Sequence, residues 1–526
     1  MSKQAANHLI EGIGDVDVHT LQLPSDVHVE SGTYTYSGKV LVAYRTTEDT
    51  AEDHHRLAVM EDDGNGFRPI FAGKIPQLPR ANGVRYLPFE DNHRVLLGDY
   101  VLECSPDIDT CRQAELVPIR YPALLYKDPN ITHRWSEVII SPDNRHISWT
   151  ILTQGYSAVA LGTLRRESDA YEVDDVRIIS TLSGLQPDPS RPGHLLSQPV
   201  RGGEVKQFVR GGKAISLVGA LDNATPDSVV LDLPSGSLTQ VTCTPGYNET
   251  TIFSPDERLG MVMSTRFSTR TDPAIFGLVP RPYGTIAIAG MIWYLYTYAV
   301  TGVRNHRRGN IGPALVEIER SMRDRNYLGV QLTTDEDWVY CSPMSWHPDG
   351  KRAMWPEMRR GSRGAHMRLQ VARLLDYEPG PSVRPTTTPI DLPYAVHDLE
   401  VLSQLGQHSL SGRIESISGY VEVAMEVHGH SGRTEIRYHS FSTDGINYYS
   451  GYERSSYGFA QESYYQAELQ LWGPIPGEMQ LRATFSPMLS QEPVRLLFER
   501  GSDGLPKSYG YATYGDRTLH IEALEE

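Results

Sequence analysis

A turn followed by a short apolar strand recurs through most of this chain. The best copies begin at Ser141 (SPDNRHISWTI), Ser254 (SPDERLGMVMS) and His347 (HPDGKRAMWPE). Proline presets φ, aspartate caps the turn, and Gly or Asn accepts a positive φ at the bend. Each copy therefore predicts a β-turn between two antiparallel strands. Weaker copies begin at Tyr36, Pro88 and Arg210.

The spacing of these turns indicates the architecture. One polar or basic residue follows each bend, and successive markers are separated by 54, 52, 68, 45 and 93 residues. A period near about 50 residues is typical of a four-stranded propeller blade, and the last interval spans about two periods. The markers are Lys39, His93, Arg145, Lys213, Arg258 and Lys351.

Second hairpins lie between the turns, such as DSVVLDLPSGSLTQVT from Asp227. An SPDG-like turn, an apolar strand and an L-D-L-x-x-G hairpin ending in Thr together resemble the TolB-like (PD40, WD40-like) β-propeller repeats. The resemblance covers about residues 36–375 and implies an all-β propeller of six or seven blades, with residues 1–35 as an N-terminal segment that closes the ring. The family includes scaffolds, peptidase gates and lyases of acidic sugars, so the resemblance implies a fold and not one reaction.

The repeat is interrupted at about residues 276–330. Residues 284–303 form a run without a charged side chain that is as long as a membrane-spanning helix. Their β-branched and aromatic content instead favours buried strands or an apolar insertion. Apolar residues at helical spacing follow and predict an amphipathic helix. The region is thus either a degenerate seventh blade or an apolar, helical insertion that covers the channel as a lid. The helix is predicted from Ala314, Leu315, Ile318 and Met322.

A second domain follows the repeats. Five prolines between residues 376 and 394 predict an extended connector. Beyond it, apolar and polar residues alternate, as in Val421, Val423 and Val427. This pattern predicts an antiparallel β-sandwich over residues 395–526.

Composition excludes several classes of partner. Asp and Glu number 65 against 49 Lys and Arg, giving a net charge of −16 that disfavours nucleic acid and anionic membranes. The N-terminus lacks the apolar run of a signal peptide, which favours a cytoplasmic protein without a membrane span. The 4 cysteines contain no CxxC pair, and no phosphate-binding glycine loop or nucleophile elbow occurs. We therefore expect no metal and no cofactor.

Candidate site residues follow from the propeller geometry. The strand before each turn lines the central channel, and residues near its start crowd the channel mouth. This places His133, Glu137 and Glu249 as acid–base candidates. The same polar residues also suit a structural role, in holding channel water or in stacking between blades. The candidate substrate-binding residues are Arg85, Tyr86, Arg134, Trp135, Arg201, Asn248, Trp346, Tyr296 and Arg304.

These features favour a cofactor-independent enzyme of the lyase, isomerase or cyclase type. Such reactions need only positioned acids and bases in a shaped pocket, and an apolar lid suits a partly apolar small molecule such as a secondary metabolite. One alternative is a non-catalytic ligand-binding or protein-interaction scaffold, and another is a lyase of acidic sugars. The three hypotheses predict, respectively, an enclosed apolar pocket, a plugged channel with an exposed apolar patch, and an open groove with Arg and Tyr.

Overall fold

The computed structural model describes residues 13–525 except for residues 50, 52, 77, 79–85, 154–155, 220, 222–224, 269–272, 283–290, 305–310, 363–365 and 406. The protein is all-β, with 49% of residues in strands and 8% in helices. The predicted fold class is confirmed at this level. Arg85, one of the candidate ligand contacts, lies outside the described residues.

Four-stranded antiparallel sheets follow one another along the chain from residue 28 to residue 331. Sheet I contains β2 (His28–Tyr34), β3 (Val40–Arg45), β4 (His54–Met60) and β5 (Arg68–Lys74). Sheet II contains β6 (Tyr86–Pro88), β7 (Arg94–Leu97), β8 (Tyr100–Ser105) and β9 (Gln113–Arg120). Sheet III contains β10 (Ile131–Ile140), β11 (His146–Thr153), β12 (Tyr156–Arg166) and β13 (Tyr171–Ile178), and β13 also pairs with β9 over two residues. Sheet IV contains β16 (Val205–Val209), β17 (Ala214–Gly219), β18 (Asp227–Asp232) and β19 (Leu238–Gln240). Sheet V contains β20 (Asn248–Phe253), β21 (Leu259–Ser264), β22 (Gly312–Glu317) and β23 (Val330–Gln331).

The N-terminal strand completes a sixth sheet. Strand β1 (Val16–Thr20) pairs with the last strand of this sheet, so that Val16 opposes Leu374 and Thr20 opposes Gln370. Besides β1, sheet VI contains β24 (Trp338–Tyr340) and β25 (Ser345–Trp346), which both pair with β26 (Arg352–Arg359), and then β27 (Met367–Leu374). Strands β2 and β6, β10 and β16, β16 and β20, and β20 and β25 contact one another, and β2 contacts the sixth sheet, which is typical of a β-propeller.

The Pro-Asp turns connect the first and second strands of sheets III, V and VI. The bends carry positive φ at Asn144 (60°), Glu257 (56°) and Gly350 (69°). In the first turn, the Asn144 amide donates to the Ser141 carbonyl at 2.9 Å. The local chemistry of proline, aspartate and a left-handed residue therefore determines these hairpins.

The amphipathic helix predicted after residue 313 is wrong. Ala314 and Leu315 lie in β22, and only one helical turn, α3 (Ile318–Ser321), follows. Strand β22 is buried on both faces, so it lacks the alternation of a half-exposed strand, and an apolar run of this length does not distinguish strand from helix.

An insertion separates β21 from β22. It contains a 3₁₀ turn (Pro273–Phe276) and helix α2 (Met291–Thr297), which continues as a wider helical turn over Tyr298–Val303. Among the described residues, no helix has the length and apolarity needed to cross a bilayer. The remaining elements before residue 406 are α1 (Ala123–Lys127), the hairpin β14 (Leu185–Pro187) and β15 (Leu195–Ser197), and 3₁₀ turns at Arg210–Gly212 and Leu399–Gln404.

The C-terminal strands form one sheet and not the two sheets of the predicted sandwich. All eight strands pair in sequence order. Alternate side chains such as Tyr438 and Leu469 are buried and form one apolar cluster with Phe276, Tyr294 and Tyr298 of the insertion. The second layer of this domain is therefore supplied by the insertion. The strands are β28 (Gln407–Glu415), β29 (Ser418–His428), β30 (Ser431–Ser442), β31 (Tyr448–Gly458), β32 (Ser463–Trp472), β33 (Gly477–Phe485), β34 (Tyr509–Tyr514) and β35 (Arg517–His520), followed by a 3₁₀ turn at Ile521–Leu524.

The proline-rich connector contains no helix or strand between residues 376 and 394. Its backbone is held by the Pro-Asp turns: the Gly380 amide donates to Asp256 at 2.8 Å, and the Thr388 amide donates to Asp143 at 2.9 Å. The turn aspartates therefore position the connector as well as their own hairpins.

Candidate functional site

One lysine side chain lies between three glutamates at the first strands of sheets III, IV and V. The Lys206 ammonium is 3.1 Å from Glu137 Oε2, 2.7 Å from Glu204 Oε2 and 3.0 Å from Glu249 Oε1. The Lys206 side chain is only 2% exposed. We call these four residues the Lys206 cluster; the side chains of Glu137, Glu204 and Glu249 are 14%, 13% and 8% exposed.

Hydrogen bonds donated by a tyrosine and a tryptophan side chain orient two of the carboxylates. The Tyr247 hydroxyl donates to Glu249 Oε2 at 2.7 Å, and Trp135 Nε1 donates to Glu204 Oε1 at 3.0 Å. Trp135 lies on β10 and Tyr247 directly precedes β20, so the strands that supply the glutamates also supply these donors. The carboxylate orientations are therefore fixed by rigid elements.

Helix α2 covers the cluster with aromatic rings. The Trp293 ring lies 6.4 Å from that of Trp135 and 6.2 Å from that of Tyr296, both in edge-to-face geometry. Burial and the charges of Glu204 and Glu249 raise the pKa of the Tyr296 hydroxyl. The aromatic side chains of α2 therefore lie near the acidic groups of the cluster.

Arg304 and Tyr340 border the same site. The Arg304 guanidinium lies 5.9 Å from the centre of the Tyr340 ring, and the Tyr340 hydroxyl and Arg304 Nε are buried without a hydrogen-bond partner. Burial disfavours the charged form of Arg304, but Cys341 and Glu249 raise its pKa. Two buried polar atoms are therefore available to a bound molecule.

The surroundings of the cluster raise the pKa values of both Glu204 and Lys206. Burial raises the pKa of Glu204; the charge on Lys206 opposes this shift, and Glu249 and Glu137 reinforce it. Burial alone would lower the pKa of Lys206, but the three carboxylates raise it well above its ordinary value. The site therefore combines a permanently charged ammonium with a carboxyl that retains its proton to a higher pH than an exposed glutamate.

His133 and Arg134 lie in a different cluster between sheets II and III. His133 Nε2 is 3.3 Å and Arg134 Nε 3.1 Å from Asp99 Oδ1, with both side chains 0% exposed. Burial raises the pKa of Asp99, but the contacts with His133 and Arg134 outweigh it and the pKa is lowered. This geometry is that of a buried Asp99 carboxylate held by Arg134 and His133.

The other candidate ligand contacts are dispersed. The Asn248 amide donates to Asp227 and accepts from Arg266, and Trp346 Nε1 donates to the Ile252 carbonyl. The Arg201 guanidinium stacks on Tyr394, and the Tyr86 hydroxyl is 2.9 Å from His55 Nδ1. Of the predicted site residues, the structure brings together Glu137, Glu249, Trp135, Tyr296 and Arg304.

Lys206 and Glu204 were not among the predicted catalytic residues. A signal for Lys206 was present, because it precedes the weak turn at Arg210 by the interval that separates Glu137 from Ser141. Sheet IV lacks the Ser-Pro-Asp sequence, so this register was less apparent than those of sheets III and V.

In the part of the chain that the structure describes, no group of three or more His, Cys, Asp or Glu side chains is arranged to hold a metal ion. The ammonium of Lys206 occupies the position between the three carboxylates that a cation would take.

Neither a protein-family model nor a curated protein sequence matches the chain. Among solved structures it is similar to a putative TolB from Agrobacterium tumefaciens, with 15% identity, a TM-score of 0.30, and coverage of 56% of this chain and 75% of that one. It is also similar to TolB from Acinetobacter baumannii, with 12% identity, a TM-score of 0.32, and coverage of 69% of this chain and 66% of that one. A third similar structure is prolyl oligopeptidase B from Galerina marginata, with 9% identity, a TM-score of 0.31, and coverage of 80% of this chain and 48% of that one.

Similarity at this level establishes neither membership of those families nor a shared activity. The described sheets themselves define the class, which is an all-β protein with the sheet succession of a β-propeller and an additional eight-stranded C-terminal sheet.

Proposed function

We propose that this protein is a six-bladed β-propeller enzyme that performs cofactor-independent acid–base chemistry, of the lyase, isomerase or cyclase type, at the Lys206 cluster. Its substrate is a small, partly apolar molecule. The observation that carries the proposal is the contact of one buried ammonium with three carboxylates from three sheets beneath an aromatic helix.

The energetic cost of this arrangement supports a functional role. Removing four ionisable groups from water costs several kcal/mol per ion, and well-packed apolar side chains of similar volume often stabilise a fold as well or better. Clusters of buried titratable groups with shifted pKa values occur preferentially at functional sites.

Each group has a chemical role in the proposal. In the proposal Glu204 acts as the general acid that donates a proton to the substrate, and Glu249, oriented by Tyr247, acts as the general base that accepts one. The aromatic faces of Trp293 and Tyr296 contact the apolar part of the substrate and stabilise positive charge that develops in the transition state.

The charge balance favours an uncharged substrate. Three carboxyl groups contact Lys206, and Arg304 lies beside them, so the site offers no excess of positive charge. An acidic sugar would require an excess of positive charge at its carboxylate, so the sugar-lyase alternative has less support from this site.

The experiment uses a panel of terpenoid, polyketide and aromatic small molecules, with conversion followed by liquid chromatography and mass spectrometry. We expect wild-type protein to convert at least one compound. Glu204→Gln and Glu249→Gln should each reduce the rate by about 10²–10⁴-fold, which is the usual contribution of a general acid or base. Glu468→Gln, at an exposed glutamate of β32, is the matched control and should retain full activity.

The same panel tests the non-catalytic alternative. Saturable quenching of Trp293 and Trp135 fluorescence without conversion would identify a ligand-binding protein. Conversion that persists in both glutamine variants would contradict the proposed roles of Glu204 and Glu249, because neither carboxyl would then be needed for proton transfer.

A further inference from the structure

Two of the 4 cysteines of the chain flank the loop between β8 and β9 of sheet II. Cys104 lies in β8, and Cys111 precedes β9, in which Ala114 opposes Cys104. Both cysteines are free thiols and are buried, with 6% and 8% of their surface exposed. We propose that Cys104 and Cys111 form a disulfide by exchange with a low-molecular-weight disulfide such as glutathione disulfide.

The hairpin brings the two thiols into contact. Ser105 opposes Gln113, and the Arg112 amide donates to the Ser105 carbonyl at 2.9 Å. The chain therefore returns beside β8 directly after Cys111. The thiols of Cys104 and Cys111 are within hydrogen-bonding contact, and both side chains belong to one apolar cluster. Two cysteines can be bridged without movement of the backbone only where their side chains already approach each other, and this pair meets that condition.

Sheet I holds the loop that carries Cys111. Arg68 of β5 donates to the Cys111 carbonyl at 2.9 Å and also to the Asp109 carbonyl. Ser37 Oγ, in the turn between β2 and β3, donates to Asp109 Oδ1 at 2.8 Å. The folded protein therefore keeps the Cys111 thiol near β8, whereas the unfolded chain reaches this arrangement only at a cost in conformational entropy.

The order of reaction follows from the burial of the two thiols. Burial, together with the contact with Cys111, raises the pKa of the Cys104 thiol, so its thiolate is rare in the closed structure. Thr110 and Arg112, on either side of Cys111, are exposed to solvent. A local opening of this loop therefore brings the Cys111 thiol to solvent while β8 stays in its sheet, and Cys111 reacts first.

The reaction consists of two successive exchanges. The Cys111 thiolate attacks one sulfur of glutathione disulfide, which breaks the disulfide bond, forms a mixed disulfide and releases one glutathione thiolate. The Cys104 thiolate then attacks the Cys111 sulfur and releases the second glutathione thiolate. The two protons lost by the cysteines are taken up by the two released thiolates. The cysteine pair is thereby oxidised by two electrons, and glutathione disulfide is reduced to two molecules of glutathione.

The disulfide closes residues 104–111 into a covalent loop at the contact between sheets I and II. The Lys206 cluster lies on sheets III, IV and V, so the two sites share no residue. The proposal therefore does not depend on the reaction proposed for that cluster.

The test is equilibration of the full chain with mixtures of reduced and oxidised glutathione, followed by acid quenching, alkylation and mass spectrometry of proteolytic peptides. We expect a product lighter by two hydrogen atoms, with Cys104 joined to Cys111 and the other two cysteines alkylated. The equilibrium constant for forming this bond should be about 10–100-fold larger in the folded protein than in the same chain unfolded in urea, because the fold holds the two thiols together.

Cys243→Ala is the matched control, because Cys243 follows β19 of sheet IV, where its thiol donates to the Ser321 carbonyl at 3.1 Å. It should form the Cys104–Cys111 bond to the same extent as the wild type, whereas Cys111→Ser should show no loss of two hydrogen atoms.

Three results would overturn the proposal. In the first, the folded protein forms no Cys104–Cys111 bond at any ratio of the two glutathione forms. In the second, the equilibrium constant is no larger for the folded protein than for the unfolded chain. In the third, glutathione remains attached to Cys111 at equilibrium in place of the internal bond. All three are measured on the wild type, so the proposal is tested even where Cys111→Ser impairs folding.

Discussion

The side chains of Arg281 and Glu453 form an ion pair from which water is excluded, since both are 0% exposed. Arg281 also donates to the Phe276 and Val279 carbonyls at 2.8 and 3.0 Å, and the Tyr465 hydroxyl donates to Glu453 at 2.9 Å. A buried pair is tolerated only when its remaining donors and acceptors are satisfied in this way. The pair is one of several contacts that join the insertion to the C-terminal sheet.

Glu453→Gln should destabilise the protein by about 3–5 kcal/mol, because it leaves the buried Arg281 charge without a counter-ion. Urea unfolding followed by circular dichroism measures the loss. Glu468→Gln, on the neighbouring strand and exposed, should change stability by less than about 0.5 kcal/mol. Equal effects of the two substitutions would show that the pair contributes nothing specific.

Glu90 predicts a pH dependence of stability. Burial raises its pKa to about 7, and the charge of Asp143 in the neighbouring turn adds to the shift. The folded state therefore binds this proton more tightly than the unfolded state, so the contribution is complete below the ordinary pKa of about 4.3 and is lost as pH rises through 7.

We accordingly expect Glu90→Gln to be more stable than the wild type at pH 8, relative to their difference at pH 5. Urea unfolding at both pH values gives the comparison. Glu48→Gln, at an exposed residue, is the control. A wild-type stability that rises from pH 5 to pH 8 relative to Glu90→Gln would contradict the sign of this prediction.

At the scale of elements, β1 joins the N-terminus to the sixth sheet. Asp17 opposes Arg373 in the antiparallel pair, and their side chains are 59% and 41% exposed. Residues directly opposite in such a pair have Cα atoms about 4.5–5.5 Å apart, which is within the range of a disulfide. The pairing of β1 with β27 is therefore accessible to a crosslink.

Asp17→Cys combined with Arg373→Cys should form a disulfide that stabilises the protein by about 2–4 kcal/mol, because it closes a long loop in the unfolded chain. Denaturant unfolding before and after reduction measures the gain. Each single cysteine variant is a control and should show no dependence on reductant. If the oxidised double variant is no more stable than its reduced form, β1 does not pair with β27 as described.

The elements differ in how far the sequence could predict them. Hairpins with Pro-Asp turns were predictable because the turn depends on a few adjacent residues. Strand β22 and helix α2 were not, because both are apolar runs whose conformation is decided by the sheets that surround them. The single C-terminal sheet was missed since alternation along a strand does not reveal what covers its apolar face.

The candidate site was predictable only in part, for the same reason. Counting back from the Ser-Pro-Asp turns identifies Glu137 and Glu249, whose positions depend on strand register. Lys206 belongs to a sheet without this turn sequence, and its proximity to both glutamates arises from the packing of three sheets. His133 and Arg134 have the expected polarity but pair with Asp99, which the sequence alone does not place beside them.

At the scale of the whole molecule, the insertion makes the C-terminal sheet dependent on the first part of the chain. Tyr294 is fully buried and donates to the Gly458 carbonyl at 3.0 Å, and Tyr298 packs against Phe485. The apolar face of the eight strands is thus covered by residues more than a hundred positions earlier. The two regions contribute to one hydrophobic core.

Residues 407–525 expressed alone should therefore fail to fold cooperatively, because the apolar face of the sheet lacks its cover. Thermal unfolding by circular dichroism and binding of a hydrophobic dye would measure this. A peptide of residues 273–304 added in trans should restore part of the cooperative transition, whereas the same peptide with Tyr294 and Tyr298 replaced by Ser should not. A sharp unfolding transition of the fragment without any peptide would contradict the prediction.

The covered position of α2 also has a consequence for biosynthesis. The helix leaves the ribosome about a hundred residues before β28, and at about 5–20 residues per second its C-terminal cover is missing for about 5–20 s. During this interval the nascent chain exposes an apolar segment that the finished protein buries. We expect ribosome-bound chains ending near residue 400 to crosslink to a chaperone through α2, and released full-length chains not to do so.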